Sequence, residues 1–223
     1  MMAPAAQRVV AIDGPAASGK SSVARELARK LGFVYVNSGA MYRAIAWFVL
    51  DRGTDFHDAA AVTRLVETAR IECDLEGGES RIQIDGVDPA SHLRDVRVNE
   101  AVSPVSSVPR VRELLGAQMR SYASSHDVVM EGRDIGSVVF PETPYKFYID
   151  ASPEVRAKRR AAQGHADQIA MRDQADSSRK TAPLMIAEDA HVIDSSQLSI
   201  EGVVGQIVER LRVQGWEAPP PRV

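Results

Sequence analysis

Eight consecutive residues near the start of the chain, Gly14-Pro15-Ala16-Ala17-Ser18-Gly19-Lys20-Ser21, have the types and spacing of a phosphate-binding loop. Gly14 and Gly19 let the backbone turn tightly and bring its N–H groups close to phosphate oxygens. The Lys20 ammonium can reach the terminal phosphates of a nucleotide, and the Ser21 hydroxyl can ligate Mg²⁺. This run therefore predicts a nucleoside triphosphate site with Ser21 as a metal ligand.

The residues on either side of the run supply the structural context that such a loop needs. Val9-Val10-Ala11-Ile12 is an apolar run typical of a buried strand. After the loop, apolar residues recur at helical spacing from Val23 to Leu31, and Gly32 is a stop signal. A glycine-rich turn in another kind of α/β domain is the alternative. The strand before the loop and the amphipathic helix after it favour the phosphate site.

Arginine is the second residue type in this chain that could do chemistry. Guanidinium groups held around a transferred phosphoryl group stabilise the charge on its oxygens. A switch-type NTPase would also use a phosphate loop, but the chain has no clear GTPase-type motif for base recognition, which favours a phosphoryl transferase. For the arginines between 156 and 160, a solvated basic helix face is the alternative. Many of the candidate arginines lie near the predicted ends of elements at the carboxyl edge of the sheet. The candidates are Arg43, Arg112, Arg133, Arg156, Arg159, Arg160, Arg172 and Arg179.

Polar and small residues also follow the second predicted strand, Phe33-Val34-Tyr35-Val36. Open α/β sheets bind their ligands at the carboxyl ends of the strands. Ser38 and Arg43 are therefore candidates for binding a second substrate. The alternative is that Ser38 caps the following helix and Arg43 lies on a solvated helix face, and position alone does not decide between the two.

Five β-prone runs alternate with helical patterns along the chain, at 9–12, 33–36, 127–131, 145–150 and 190–194. Strands that alternate with helices form a parallel sheet through right-handed crossovers. We therefore expect an α/β fold with a five-stranded parallel sheet of the P-loop NTPase type, flanked by helices.

The region from about 70 to 108 departs from this alternation. Two short β-prone runs, 71–75 and 81–85, flank Glu76-Gly77-Gly78-Glu79, which predicts a hairpin. We interpret the region as an insertion into a single domain whose core covers about 8–69 and 109–213. The tail at 214–223 contains three successive prolines, so we expect it to be disordered.

Composition excludes several classes of protein. The 223 residues carry a formal net charge of -3, which argues against binding nucleic acid by bulk electrostatics. Cys73 is the only cysteine, which excludes an internal disulfide and fits a reducing cytoplasm. The five histidines are scattered, so a zinc site is not expected. The sequence contains neither a membrane span nor a secretory signal, so we expect a cytoplasmic enzyme that does not bind membrane. We also expect an enzyme that does not bind nucleic acid, and a monomer, although the sequence itself does not decide the oligomeric state.

Several motifs in one order make the chain similar to bacterial cytidylate kinases. The similarity extends over nearly the whole chain. The motifs that carry it are Gly14–Ser22, Ser38-Gly39-Ala40-Met41-Tyr42-Arg43, Pro109-Arg110-Val111-Arg112-Glu113, Gly132-Arg133-Asp134-Ile135-Gly136, Val138-Val139-Phe140-Pro141, Arg172-Asp173 with Asp176 and Arg179, and Asp194-Ser195-Ser196.

This resemblance implies transfer of the γ-phosphoryl group of ATP to CMP or dCMP, with Mg²⁺. It also implies that the insertion is a small antiparallel β subdomain for binding the monophosphate, and that a short lid covers about 156–180. ATP would be held by residues 14–22, including Ser22. The resemblance also implies that Ser38 and Arg43 contact the acceptor phosphate and that Ser103, Arg112 and Asp134 contact cytosine. It implies that Arg133, Arg172 and Arg179 bind phosphates and that Asp176 binds the sugar. Arg159 and Arg160 are implied to be arginines of the lid.

The chain departs from the family pattern at two places. The segment from Arg160 to Arg172 is shorter than the lid region of many members, and Ala17 stands where many have glycine. Two alternatives to the implied activity are another small-molecule P-loop kinase and a regulatory module that binds ATP without turnover.

Overall fold

The computed structural model describes residues 8–162, 173, 177 and 184–216. Its strands are β1 (Val9–Asp13), β2 (Val34–Asn37), β3 (Ile71–Glu76), β4 (Glu79–Ile84), β5 (Val128–Gly132), β6 (Tyr145–Asp150) and β7 (His191–Asp194). Its helices are α1 (Lys20–Leu31), α2 (Ser38–Asp51), α3 (Ala59–Thr68), α4 (Val96–Ser107), α5 (Pro109–Ser125), α6 (Pro153–Ala162) and α7 (Ile200–Val213). A short 3₁₀ turn at Ala90–His92 and a π-helical turn at Ile135–Val139 complete the described structure.

The strands form one sheet in the order β3-β4-β2-β5-β1-β6-β7. Strands β2, β5, β1, β6 and β7 are parallel, which confirms the predicted α/β fold. The sheet described here has seven strands rather than five, because the hairpin strands β3 and β4 add to the five predicted parallel strands. The hairpin β3–β4 is present as predicted, but it joins the main sheet where Tyr35 N donates to Gly78 O at 2.9 Å.

Successive residues of the central strand enter two separate cores. Val9 and Ala11 of β1 pack with residues of α2 to α5, whereas Val10 and Ile12 pack with residues of α1 and α7. Side chains alternate across a strand, so an all-apolar strand needs helices on both sides of the sheet. The apolar run before the phosphate loop is therefore explained by a three-layer arrangement of helices, sheet and helices.

Helix α4 is an element that the sequence analysis missed. Its buried residues Val98, Ala101, Val102 and Val105 lie on one helical face, and they belong to the same core as α2. The charged residues before this helix and the proline in its last turn obscure the pattern. Region 70–108 thus contains both a hairpin in the main sheet and a packed helix, and its role in binding a monophosphate stays a prediction.

The end of the described chain is packed, so the prediction of disorder from residue 214 is wrong for 214–216. The Trp216 ring lies 5.3 Å from the Phe33 ring and 4.7 Å from the Tyr145 ring, between centroids. The Arg8 guanidinium lies 4.5 Å from the Trp216 ring centroid and pairs with Asp127 at 2.9 Å. Residues 217–223 lie outside the described part. Within the described residues, the helices are too short or too polar to cross a bilayer.

Replacing Trp216 by Ala should lower the free energy of unfolding by about 3 kcal/mol, because a buried aromatic ring leaves a cavity. The melting temperature should fall by roughly 6–12 °C in a chain of this length. Val213→Ala, at a side chain that is 69% exposed on the preceding turn, is the control and should change stability little. Equal melting temperatures for wild type and Trp216→Ala would contradict the packing described here.

Candidate active site

The phosphate loop connects the end of β1 to the start of α1. Gly14 and Gly19 have φ values of 152° and 91°, which favour glycine. A Cβ at Gly14 would overlap the carbonyl oxygen of Ile149 in β6, so only glycine fits there. Ala17 has a φ of 59° despite its Cβ, and the loop therefore holds some backbone strain at this position. Close packing against the sheet thus fixes the course of the loop.

Lys20 and Ser21 begin α1, where the helix N-terminus favours anions. Lys20 is buried, and its ammonium donates to Pro15 O at 3.0 Å, across the loop. The Ser21 hydroxyl donates to the Glu131 carboxylate at 2.8 Å. The two residues with the most specific predicted roles therefore lie at the mouth of a structured anion site.

Glu131, which the sequence analysis passed over, is the buried carboxylate of this site. It lies near the end of β5, the strand beside β1, and it accepts from Ser21 and, at 3.5 Å, from the Tyr35 hydroxyl. Burial, with the Glu131 charge, raises the pKa of Tyr35 far above its ordinary value, so the phenol stays protonated. The apolar run Val128-Val129-Met130 ending in an acid was the available signal.

Oxygen atoms at this point suit a magnesium ion. Mg²⁺ prefers hard oxygen ligands, usually one or two protein carboxylates or hydroxyls together with phosphate oxygens. Ser21 and Glu131 provide a hydroxyl and a carboxylate next to the loop that would hold the phosphates. The donor set therefore fits the ion that the sequence predicts, with Glu131 added to Ser21.

A second polar centre lies across the cleft, where Arg112 of α5 pairs with Asp134 after β5. The two side chains are only 9% and 4% exposed. Arg112 also donates to Ser106 O at 3.2 Å, and its guanidinium lies 5.6 Å from the Tyr42 ring centroid. Because buried ions need partners, this pair is a fixed, mutually neutralised set of donors and acceptors.

The phosphate loop and the Arg112–Asp134 pair line one cleft of about 540 Å³. Most of the residues predicted for the two substrates meet in it. Those predicted residues are Ala16, Ala17, Gly19, Lys20, Ser21, Ser22, Ser38, Arg43, Arg112, Arg133, Asp134 and Arg160. Others that the sequence analysis did not single out include Arg25, Tyr35, Asn37, Arg94, Asn99, Ser106 and Glu131.

Three residues predicted to bind the phosphate-accepting substrate donate hydrogen bonds to backbone carbonyls. Arg133 donates to Gly14 O at 2.7 Å, which connects it to the phosphate loop. The buried Ser38 hydroxyl donates to Glu131 O at 2.7 Å, and Arg43 donates to Gly39 O at 2.9 Å within α2. Asn37, not Ser38, caps α2 through its side chain, so the cap alternative for Ser38 is wrong.

Five predicted residues in the described part do not line the cleft: Gly14, Pro15, Ser18, Ser103 and Arg159. Arg159 donates to Ser18 O at 3.2 Å and to Ser195 O at 2.7 Å, so it contacts the back of the phosphate loop. Ser106, one turn after Ser103 in α4, lines the cleft instead. Arg172, Asp176 and Arg179 lie outside the described residues.

Asp173 is a further residue that contacts the phosphate loop. Its carboxylate accepts from Ala16 N at 3.1 Å and pairs with Arg156, which also donates to Ala16 O at 3.3 Å. A carboxylate oxygen on a loop amide illustrates the affinity of this backbone for anions. Arg156 and Asp173 thereby connect the predicted lid region to the loop.

Comparison with known proteins gives sequence relatives over most of the chain. The family profile described as cytidylate kinase matches residues 10–213. The cytidylate kinase of Pelotomaculum thermopropionicum is 44% identical over 215 residues, covering 91% of this chain and 95% of its own. That of Caldanaerobacter subterraneus subsp. tengcongensis is 42% identical over 214 residues, covering 91% and 94%. The thymidylate kinase structure from Candida albicans has a TM-score of 0.49 at 14% identity, covering 96% of this chain and 94% of its own.

Glu131→Gln should weaken the contribution of Mg²⁺ to nucleotide binding, because it removes the charge beside the Ser21 hydroxyl. We expect the ratio of ATP dissociation constants without and with Mg²⁺ to fall by about tenfold, the size of one charged contact. Calorimetric titration of ATP in EDTA and in excess Mg²⁺ measures this ratio. Glu209→Gln, at an exposed glutamate of α7 that pairs with Arg212 and does not line the cleft, is the control. An unchanged ratio in Glu131→Gln would mean that Glu131 does not contribute to binding Mg²⁺.

Proposed function

The chain belongs to the cytidylate kinase family, and we propose that it transfers the γ-phosphoryl group of ATP, with Mg²⁺, to CMP and dCMP. The observation that carries the proposal is the single cleft lined by both the phosphate loop and the buried Arg112–Asp134 pair. A phosphoryl transfer needs donor and acceptor side by side in one site that positions them and stabilises charge. The cleft supports this arrangement with residues that follow the sheet's central strands.

On the donor side, the loop amides and the α1 N-terminus would bind the phosphates of ATP. Lys20 would leave the Pro15 carbonyl for a phosphate oxygen, since an ionic partner is stronger than a neutral carbonyl. Ser21 and Glu131 would hold Mg²⁺, which neutralises charge on the phosphates when bound. Charge on the transferred group is then countered mainly by fixed groups in a partly buried site.

On the acceptor side, the buried pair would read the base. Cytosine presents an exocyclic amino donor and acceptors at O2 and N3, whereas uracil has a carbonyl in place of the amino group. The Asp134 carboxylate would accept from the amino group, and Arg112 would donate to O2 and N3. Ser103, for which the resemblance implies the same role as Asp134, does not line the cleft, so we assign the amino group to Asp134. A carboxylate facing the uracil carbonyl would place two acceptors together, which disfavours UMP.

The remaining assignments complete the proposal. Residues 70–108 would form the monophosphate-binding region and 156–180 the lid of a monomeric, cytoplasmic enzyme. Ser38 and Arg43 would contact the acceptor phosphate, Arg133, Arg172 and Arg179 the phosphates, and Asp176 the sugar. Arg160 lines the cleft and would contact the phosphates as part of the lid. Arg159 donates to Ser18 O, so we propose that it stabilises the phosphate loop instead.

Lys20→Ala should lower kcat by about 10²- to 10³-fold, because a charge that stabilises the transition state is lost. The fold should survive, as judged by the melting temperature. Lys30→Ala, at an exposed lysine of the same helix, is the control and should retain full turnover. Wild-type turnover in folded Lys20→Ala would remove the kinase assignment.

Asp134→Asn should narrow the preference for CMP over UMP, because an amide can rotate to donate to the uracil carbonyl. We expect the ratio of kcat/KM values to fall by at least about tenfold. ADP release with CMP, dCMP, UMP, AMP and shikimate as acceptors measures both the activity and the ratio. Asp127→Asn breaks an Arg–Asp pair remote from the cleft and controls for stability. An unchanged CMP:UMP ratio would mean that the base is read elsewhere.

A further inference from the structure

Asp13, the last residue of β1, is a buried acid to which the mechanism above assigns no role. The residue is 6% exposed. One carboxylate oxygen accepts from Ile135 N and the other from Gly136 N, each at 2.8 Å. These two amides open the π-helical turn that immediately follows Asp134. Both oxygens of Asp13 are therefore used to hold the loop that carries the base-reading carboxylate.

The next residue in the chain holds the same loop from its other side. Gly14 O accepts from the Arg133 guanidinium at 2.7 Å. Two consecutive residues at the start of the phosphate loop thus bind the segments before and after Asp134. Asp134 has φ −149° and ψ 25°, a conformation outside regular helix or strand, so it depends on such anchors.

We propose that Asp13 is a positioning residue for acceptor recognition, and that the Arg133–Gly136 loop loosens when the Asp13 carboxylate takes up a proton. The ionised carboxylate has acceptors for both amides. In the neutral acid one oxygen carries a hydrogen and is a poorer acceptor than a carboxylate oxygen, so one of the two amide bonds weakens. This inference rests on the proposed function, because acceptor recognition is what the loop serves.

The groups around Asp13 bring its pKa close to neutral pH. Burial raises the pKa of Asp13 to about 7, against the two amide hydrogen bonds, which lower it. The charge of Asp134 raises the pKa and that of Lys20 lowers it, while Tyr148 faces the group from β6. Below that pH Asp13 is protonated, and above it both amide bonds are made. Acceptor binding should therefore weaken as the pH falls.

The first test compares wild type with Asp13→Asn at pH 8. The asparagine side chain offers one acceptor and one donor, so it resembles the neutral acid. We expect KM for CMP to rise about tenfold, the worth of one charged hydrogen bond, and KM for ATP to change less than about twofold. Asp150→Asn, at the end of the neighbouring strand β6, where the carboxylate accepts from Ala151 N, is the matched control. Equal effects on both KM values, or none in a folded variant, would overturn the proposal.

The second test repeats the comparison between pH 6 and pH 8.5. The phosphate of CMP titrates in this range as well, but it does so identically for both proteins and cancels in their ratio. The ratio of variant to wild-type KM for CMP should fall from about ten toward one as the pH is lowered. A ratio that stays constant would overturn the coupling to protonation, because the asparagine of the variant does not titrate.

Nuclear magnetic resonance on the wild type keeps the inference testable if Asp13→Asn does not fold. The amide signals of Ile135 and Gly136 should shift together with a single midpoint near pH 7. Signals that stay constant from pH 6 to 8 would overturn the inference. Failure of the proposed function is separate: a wild-type protein that phosphorylates neither CMP nor dCMP would refute that function, while the amide titration would still judge Asp13.

Discussion

The parallel pairing of β1 with β5 is the interaction on which the rest of the site depends. Its register places Ile12 opposite Glu131 and Asp13 opposite Gly132. The phosphate loop therefore starts beside the carboxylate that accepts from Ser21 and beside the loop that carries Arg133 and Asp134. A slip by one residue would turn every side chain of β1 to the opposite face and separate these groups.

Charge in and beside the cleft is balanced by ion pairs within the protein. Arg112 pairs with Asp134, and Arg156 pairs with Asp173 at the loop amide. Buried guanidinium groups without partners would destabilise the fold by several kcal/mol, roughly 3–5 where one partner of a buried pair is removed. Internal carboxylates thus hold these guanidinium groups in fixed positions within the protein.

Local patterns were enough to predict the parallel α/β core and the phosphate loop. The run before Gly14, the helix after it and the hairpin turn each depend on residues close in sequence. The pairing of Arg112 with Asp134 and the contact of Arg159 with Ser195 depend on tertiary packing, which no single window of sequence contains. Helix α4 and the packed Trp216 were missed for a similar reason. The apolar residues of α4 are buried by α2, and Trp216 packs against Phe33, and both contacts join segments that are distant in sequence.

The strand order also governs how the protein can fold while it is being made. β1 leaves the ribosome before both of its neighbours, β5 and β6, which lie beyond residue 127. At ordinary rates of translation, the central strand stays unpaired for on the order of ten seconds. During that time the unpaired N–H and C=O groups along both edges of β1 can pair with other chains. Helix α1 follows β1 directly in the chain and packs on one of its faces, so the helix that carries Lys20 also reduces the apolar surface that the unpaired strand exposes.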